Sequence, residues 1–300
     1  MTLTARPVSL CSDFETDFEL LHVLQPTQQG SVYLARPRDS DLVGSRPYLA
    51  VKVIEAKYLE LILPGEAVHE DPLREIQLMT MPTIRHANLV HALDVLRDRS
   101  GNMYILTEQA ECDLLEYINL NHELDESEAR VILSQVVSAL LHLHSHGIMH
   151  LDVSLENILL FEQAQVAKVS DFGLSQEIAS ASNQNQCYMG KALYTAPEYF
   201  FDSRAPSVLA DSFSLGVVLF AMVFGRLPYV ALTNETMEFV QIAYGDMQEL
   251  WTALESEIED IGISKGCVDL MSHMLCAEKD RWSMEQISQH PWFTSSTVVR

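Results

Sequence analysis

The stretch His150-Leu-Asp152-Val-Ser154-Leu-Glu156-Asn157, followed downstream by Val169-Ser170-Asp171-Phe172-Gly173, decides how this chain is read. Asp152 and Asn157 stand just after a helical segment, and Asp171 follows a short apolar strand, so three oxygen-bearing side chains can meet at one loop junction. Hard divalent cations take such oxygens and keep other positions for phosphate and water. Asp171 and Asn157 are therefore the candidate metal ligands. Asp152 is the group able to orient an attacking hydroxyl and accept its proton.

Upstream, Lys52 interrupts the apolar run Leu49-Ala-Val-Lys52-Val. An unpaired buried ammonium is costly, so it needs a partner. Glu75, on the next helical segment, is the candidate, and such a pair would hold Lys52 against the α- and β-phosphates of a nucleotide. The bland alternative is a lysine snorkelling from an edge strand.

From residue 18 to about 107 the pattern is strands with one helix between them: FELLHVL, SVYLA, YLAVKVI and MYILT are rich in aliphatic and aromatic residues. Asp71 and Pro72 give a helix start signal. From Asp113 onward helical spacing dominates. Ala129, Ile132, Leu133, Val136, Leu140 and Leu143 mark one buried face, with Asp125 and Glu128 in a capping-box arrangement. Further helices are expected over 207–225, 235–244, 267–276 and 284–290, and the acidic run at 254–262 reads as a solvated face.

Three hundred residues with 48% hydrophobic content can bury a sizeable core. The net charge of -23 argues against nucleic acid as a partner and towards basic peptides. The five cysteines, Cys11, Cys112, Cys187, Cys267 and Cys276, are scattered without a C-x-x-C pair, which points to reduced thiols inside the cell. The longest apolar stretch, Leu215 to Phe224, is about half a membrane span, so no membrane association is expected. A cytoplasmic monomer is expected, with the nucleus left open.

The ordered set Lys52, Glu75, Asp152, Asn157 and Asp171 resembles the eukaryotic protein kinase family, from about Phe18 to Phe293. The resemblance implies an α+β, bilobal fold: an N-terminal extension over 1–17, a small five-stranded antiparallel N-lobe over 18–107, a hinge at 108–110, a mainly helical C-lobe over 111–293 and a tail over 294–300. It implies ATP with Mg²⁺, or Mn²⁺ in its place, and a protein or peptide substrate carrying a Ser or Thr hydroxyl. Backbone groups near Glu108 and Ala110 would bind adenine, with Thr107 as gatekeeper. Val32, Ala50 and Leu159 would sandwich the base, Gly30 would cover the phosphates, and Asp113 would meet the ribose or a basic substrate side chain. Glu198 with Arg281 resembles the family's long-range ion pair, Asp211 the aspartate that braces the catalytic loop, and His290-Pro-Trp292 the closing motif.

Several positions depart from that pattern. The phosphate-covering loop reads Gln25-Pro-Thr27-Gln-Gln-Gly30-Ser-Val32, keeping only the third glycine, which predicts a stiffer loop and weaker ATP binding. Leu151 replaces the arginine that in many relatives pairs with a phosphorylated activation loop, leaving a phosphate at Ser180, Ser182 or Tyr188 without that partner. Ser154 stands where Ser/Thr kinases place a lysine, and Lys191 where they place a threonine. The expectation is that the cation and hydroxyl have exchanged loops, so that Lys191 reaches the transferring phosphoryl group and Asp152 while Ser154 supplies the hydrogen bond. The competing view is two independent losses in a pseudokinase serving as a nucleotide-binding scaffold or allosteric partner. The histidines 142, 144, 146 and 150 read as the ordinary approach to the catalytic loop, not as a metal site, with His150 buried behind Phe172.

Overall fold

A two-residue turn at Gln28-Gln29 joins the first long strands of the chain, with Thr27 opposite Gly30. The computed structural model describes residues 9–10, 14–39, 46–60, 70–178, 190–201, 205–229 and 247–294. The helix expected over 235–244, together with Cys11, Cys187, Ser180, Ser182 and Tyr188, lies outside the described residues. The chain divides into two compact units, Met1–Glu111 and Cys112–Arg300.

The first unit is built on β1 (Ser9–Leu10), β2 (Phe18–Thr27), β3 (Gly30–Pro37), β4 (Leu49–Ile54), β5 (Asp94–Arg97) and β6 (Met103–Glu108), in the order β1-β5-β6-β4-β3-β2. Strands β2 to β6 form the expected five-stranded antiparallel sheet. The sixth, β1, pairs parallel with β5, so part of the expected N-terminal extension belongs to the sheet. Phe14 explains why the chain turns back. It is 2% exposed and stacks between Phe18 and Tyr104, at 4.8 and 4.2 Å between ring centroids, a burial that stabilises by roughly 1.5–3 kcal/mol. Leu49 and Val51 join this core from β4. Because side chains alternate along a strand, Ala50 and Lys52 lie on the opposite face. Pro26 sits in β2, an edge strand, where its missing N–H breaks no inner ladder.

The second unit is mainly helical. Helix Glu126–Ser145 starts where Asp125 accepts from the N–H groups of Ser127 and Glu128, and it buries the predicted face. Glu128 itself takes the hydroxyl of Tyr117 at 2.5 Å. Helix Leu209–Phe224 buries every residue from Ala210 to Phe224, its polar Asp211, Ser212 and Ser214 along with the apolar run that follows. Helix Lys265–Met274 packs on it, and Met284–Ser288 packs on Glu126–Ser145. The acidic helix Glu255–Ile261 buries no residue, in keeping with a solvated face. Short strands β7 (Cys112–Asp113), β8 (Ile148–Met149), β9 (Ile158–Phe161), β10 (Val166–Val169) and β11 (Gln176–Glu177) carry the loops between the helices. No helix among the described residues is long and apolar enough to cross a membrane.

Candidate active site

In the first unit, strand register sets one face. Lys52 stands opposite Val32 on β3 and Ile105 on β6, while Ala50 stands opposite Leu34 and Thr107. Val32, Ala50, Lys52 and Thr107 therefore share a face. Helix Pro72–Thr80 begins where Asp71 accepts from the N–H groups of Leu73 and Arg74, which places Glu75 in its first turn. Lys52 Nζ meets Glu75 Oε2 at 2.6 Å, with side chains 13% and 4% exposed. The lysine is thus paired inward, not snorkelling. Glu108 closes β6 opposite Leu49, and Ala110 follows half-buried.

Gly30 has a steric reason of its own. A Cβ on it would fall 2.2 Å from the carbonyl oxygen of Val53. Gln29, 6% exposed, donates from Nε2 to Glu70 O at 3.1 Å and accepts from Glu55 N–H at 3.0 Å. The turn is held by strand packing and amide bonds.

In the second unit, four sequence-predicted residues meet. Lys191 Nζ donates to Ser154 Oγ at 2.7 Å and to Asn157 Oδ1 at 3.1 Å. It lies 3.7 Å from Asp152 Oδ2 and 3.9 Å from Glu156 Oε2. Lys191 N–H also donates to Asp152 Oδ1 at 3.0 Å. Asn157 Nδ2 donates to Asp152 O at 2.8 Å and to Asp152 Oδ2 at 2.6 Å. This close approach of two loops needs Gly190, since a Cβ there would sit 2.6 Å from both Asp152 Oδ1 and Leu151 O. Burial pushes the Asp152 carboxyl above its ordinary 3.8; the Lys191 ammonium and N–H oppose that, and the nearby Asp171 charge adds to it. Asp171, at φ 65°, is carried by a loop that Ser170 N–H ties to Asn157 O at 2.9 Å.

Behind this cluster sits Asp211, fully buried. Its Oδ2 accepts from His150 N–H at 2.9 Å and lies 2.7 Å from His144 Nε2, and its Oδ1 accepts from Leu151 N–H at 2.8 Å. Burial alone would raise its pKa, yet His144 and the backbone donors prevail and hold it below the ordinary value. Leu151 is thereby kept at φ 65°, a left-handed conformation unfavourable for a side chain of this kind. His150 is fully buried, with its ring 5.4 Å from that of Phe172, edge to face. The segment 192–195 is tied down by neutral bonds: Ser214 Oγ to Tyr194 O at 2.8 Å and Tyr229 Oη to Leu193 O at 3.0 Å. Arg281 grips Glu198 bidentately at 2.6 and 2.9 Å, with its own side chain 0% exposed.

The remaining predicted positions are placed as follows. Asp113 caps helix Leu114–Asn121 through a 2.8 Å bond from Glu116 N–H, and burial raises its pKa. Leu159 lies in β9 opposite Asp113. Cys112 is half-buried, because β7 pairs with β9. Sequence reasoning passed over His144, Glu156 and Gly190. Glu156 had a signal, an acid between two polar positions of the loop; His144, at a separation of 67 residues from Asp211, had none.

The donor set fits a divalent ion in part. The Asp171 carboxylate is the hard oxygen such an ion takes, beside phosphate oxygens and water. The Asn157 Oδ1 already receives the Lys191 ammonium.

A protein kinase domain family model matches residues 22–293. Testis-specific serine/threonine-protein kinase 5 of Mus musculus is 31% identical over 266 residues, covering 84% of this chain and 65% of that protein. SNF-related serine/threonine-protein kinase of Rattus norvegicus is 30% identical, covering 81% of this chain and 30% of that protein. Testis-specific serine/threonine-protein kinase 3 of Mus musculus is 29% identical, covering 83% and 87%. The chain thus spans less than two thirds of the first two relatives. Protein kinase domains use ATP and a divalent metal in general. With the family model covering most of its length and the lysine, the loop carboxylates and the asparagine in the family's order, this chain belongs to the protein kinase family.

Proposed function

We propose that the chain is an active protein kinase that transfers the γ-phosphoryl group of Mg·ATP to Ser or Thr hydroxyls. The observation that carries this reading is the 2.7 Å bond from Lys191 Nζ to Ser154 Oγ, beside Asp152. A positive charge lost from one loop and regained at hydrogen-bonding distance from the adjacent loop is what retained chemistry requires. Asp152 orients the substrate hydroxyl and accepts its proton; Lys191 faces the transferring group. Lys52, held by Glu75, supports the α- and β-phosphates. Asp171 would hold Mg²⁺, or Mn²⁺, which neutralises charge on the phosphates when bound. Val32, Ala50 and Leu159 contact the adenine, and backbone groups of Glu108 and Ala110 in the hinge over 108–110 bind it. Gly30 would belong to the strand turn over the phosphates, and Asp113 would meet the ribose or a basic substrate side chain.

The test is phosphotransfer from Mg·ATP to a peptide array, with Asp171→Asn as the dead control. Labelling of Ser and Thr peptides is expected, with a preference for basic flanking residues given the charge of -23. Nucleotide binding without any transfer would establish the scaffold reading instead, and a preference for acidic flanks would remove the charge argument. Cys276, whose thiol burial pushes up to about 11, and Cys267 are both buried, which keeps their thiols out of the reaction.

The pH profile is a second measure. Asp152 works only when ionised, so kcat/KM should fall on the acid side with a midpoint above 3.8. Lys191→Met removes the attractive charge and should move that limb to higher pH. An unmoved limb would mean that another group sets it.

A further inference from the structure

We infer, resting on the reading of the chain as a Mg·ATP-dependent kinase, that the Lys191 ammonium stands in for one of two divalent ions, so that the loaded protein takes one metal ion on Asp171 and none on Asn157. Protein kinases of the usual pattern hold two Mg²⁺ ions, one through the Asp that follows the catalytic loop and one through that loop's Asn. Here the asparagine has no orientation to spare. Its Nδ2 is committed to Asp152, to the carbonyl at 2.8 Å and the carboxylate at 2.6 Å, which leaves Oδ1 as its only metal-binding atom. That oxygen is 3.1 Å from Lys191 Nζ.

The ammonium is anchored, not passing. Ser154 Oγ accepts from it at 2.7 Å, and Ser154 is fully buried. Asp152 Oδ2 at 3.7 Å and Glu156 Oε2 at 3.9 Å complete a ring of four oxygens around Nζ. Glu156 Oε2 is buried with no hydrogen-bond partner, so the lysine is the charge that balances it. An ion such as Mg²⁺ binds oxygen at about 2.1 Å. On Asn157 Oδ1 it would therefore lie within about 5 Å of Nζ, where like charges in a partly buried site repel strongly. The backbone beneath it is fixed as well, since the Lys191 N–H donates to Asp152 Oδ1 at 3.0 Å.

Crystals of the chain grown with Mn²⁺ and a non-hydrolysable ATP analogue allow the ions to be counted by anomalous scattering. One ion, at Asp171, is expected for the native chain. Two are expected for Lys191→Met, the second on Asn157. In solution, once one Mn²⁺ accompanies each nucleotide, about tenfold more free Mn²⁺ should leave the native Kd for the analogue unchanged and tighten that of the variant by about tenfold, since a second ion then binds with it. Two ions in the native chain, or a single ion in the variant, would overturn the inference and leave the kinase reading standing. No ion on Asp171 in either protein would overturn both.

Discussion

Replacing Lys191 with alanine, with Mg²⁺ just sufficient to load the nucleotide with one ion, is expected to lower kcat by about 10²–10³-fold while the KM for ATP stays within about threefold, the pattern left by losing a charge that acts on the transition state. The variant keeps the backbone bond from residue 191 to Asp152 Oδ1, the Asn157 bonds to Asp152 and the Lys52–Glu75 pair, so positioning survives. Only the ammonium is removed. The stronger form of the test restores the family's arrangement: Ser154→Lys combined with Lys191→Thr should recover most of the loss that Lys191→Thr suffers alone. Ser154 and Lys191 touch, so non-additivity is expected of them. Steady-state kinetics on the four proteins decides the matter. A kcat unchanged in Lys191→Ala, or a double variant no better than the single one, would leave the two substitutions as unrelated events.

Asp211→Asn should destabilise the second unit by about 3 kcal/mol, lowering the thermal midpoint by roughly 5–10 °C. The carboxylate accepts from His150 N–H, Leu151 N–H and His144, with both oxygens engaged. An amide puts its NH₂ against one of those donors, and a buried donor facing a donor bears the full cost of its desolvation. Leu151 then loses one of the bonds that hold it at φ 65°, so activity should fall with stability. Because Asp211 has a folded pKa below its ordinary 3.8, its contribution is present above that value and fades as pH falls through the lower folded one. Denaturation at neutral pH is the check. A midpoint equal to that of the native chain would show that the brace carries no load.

The parts of the site that could be read in the sequence are those in which polar residues fall at fixed positions on two loops joined by short apolar strands. Asp152, Asn157 and Asp171 are of this kind, as is Lys52, whose charge in an apolar strand announces a partner. Lys191 and Ser154 could be read because each is chemically odd alone and complementary together. What escaped was set by tertiary neighbours. Phe14 reads as part of an extension until Tyr104 and Phe18 close on it, and His144 reads as one of four helix-end histidines until Asp211 arrives from a distant helix. The Asp125–Glu128 arrangement is only half of a capping box for the same reason: Asp125 caps, but the Tyr117 hydroxyl engages Glu128. No local pattern encodes that tyrosine's reach.

The carbonyl of Val53, 2.2 Å from where a methyl group on residue 30 would sit, separates two constraints that a glycine motif ordinarily hides in one signature. A glycine kept for a neighbouring strand is silent about ligands. Gly30 stands in a loop that carries Gln25 and Thr27 because the Val53 carbonyl leaves no room there for a side chain, whatever becomes of the nucleotide. Glycine counts in this hairpin therefore measure backbone crowding, and affinity for phosphate must be measured on its own.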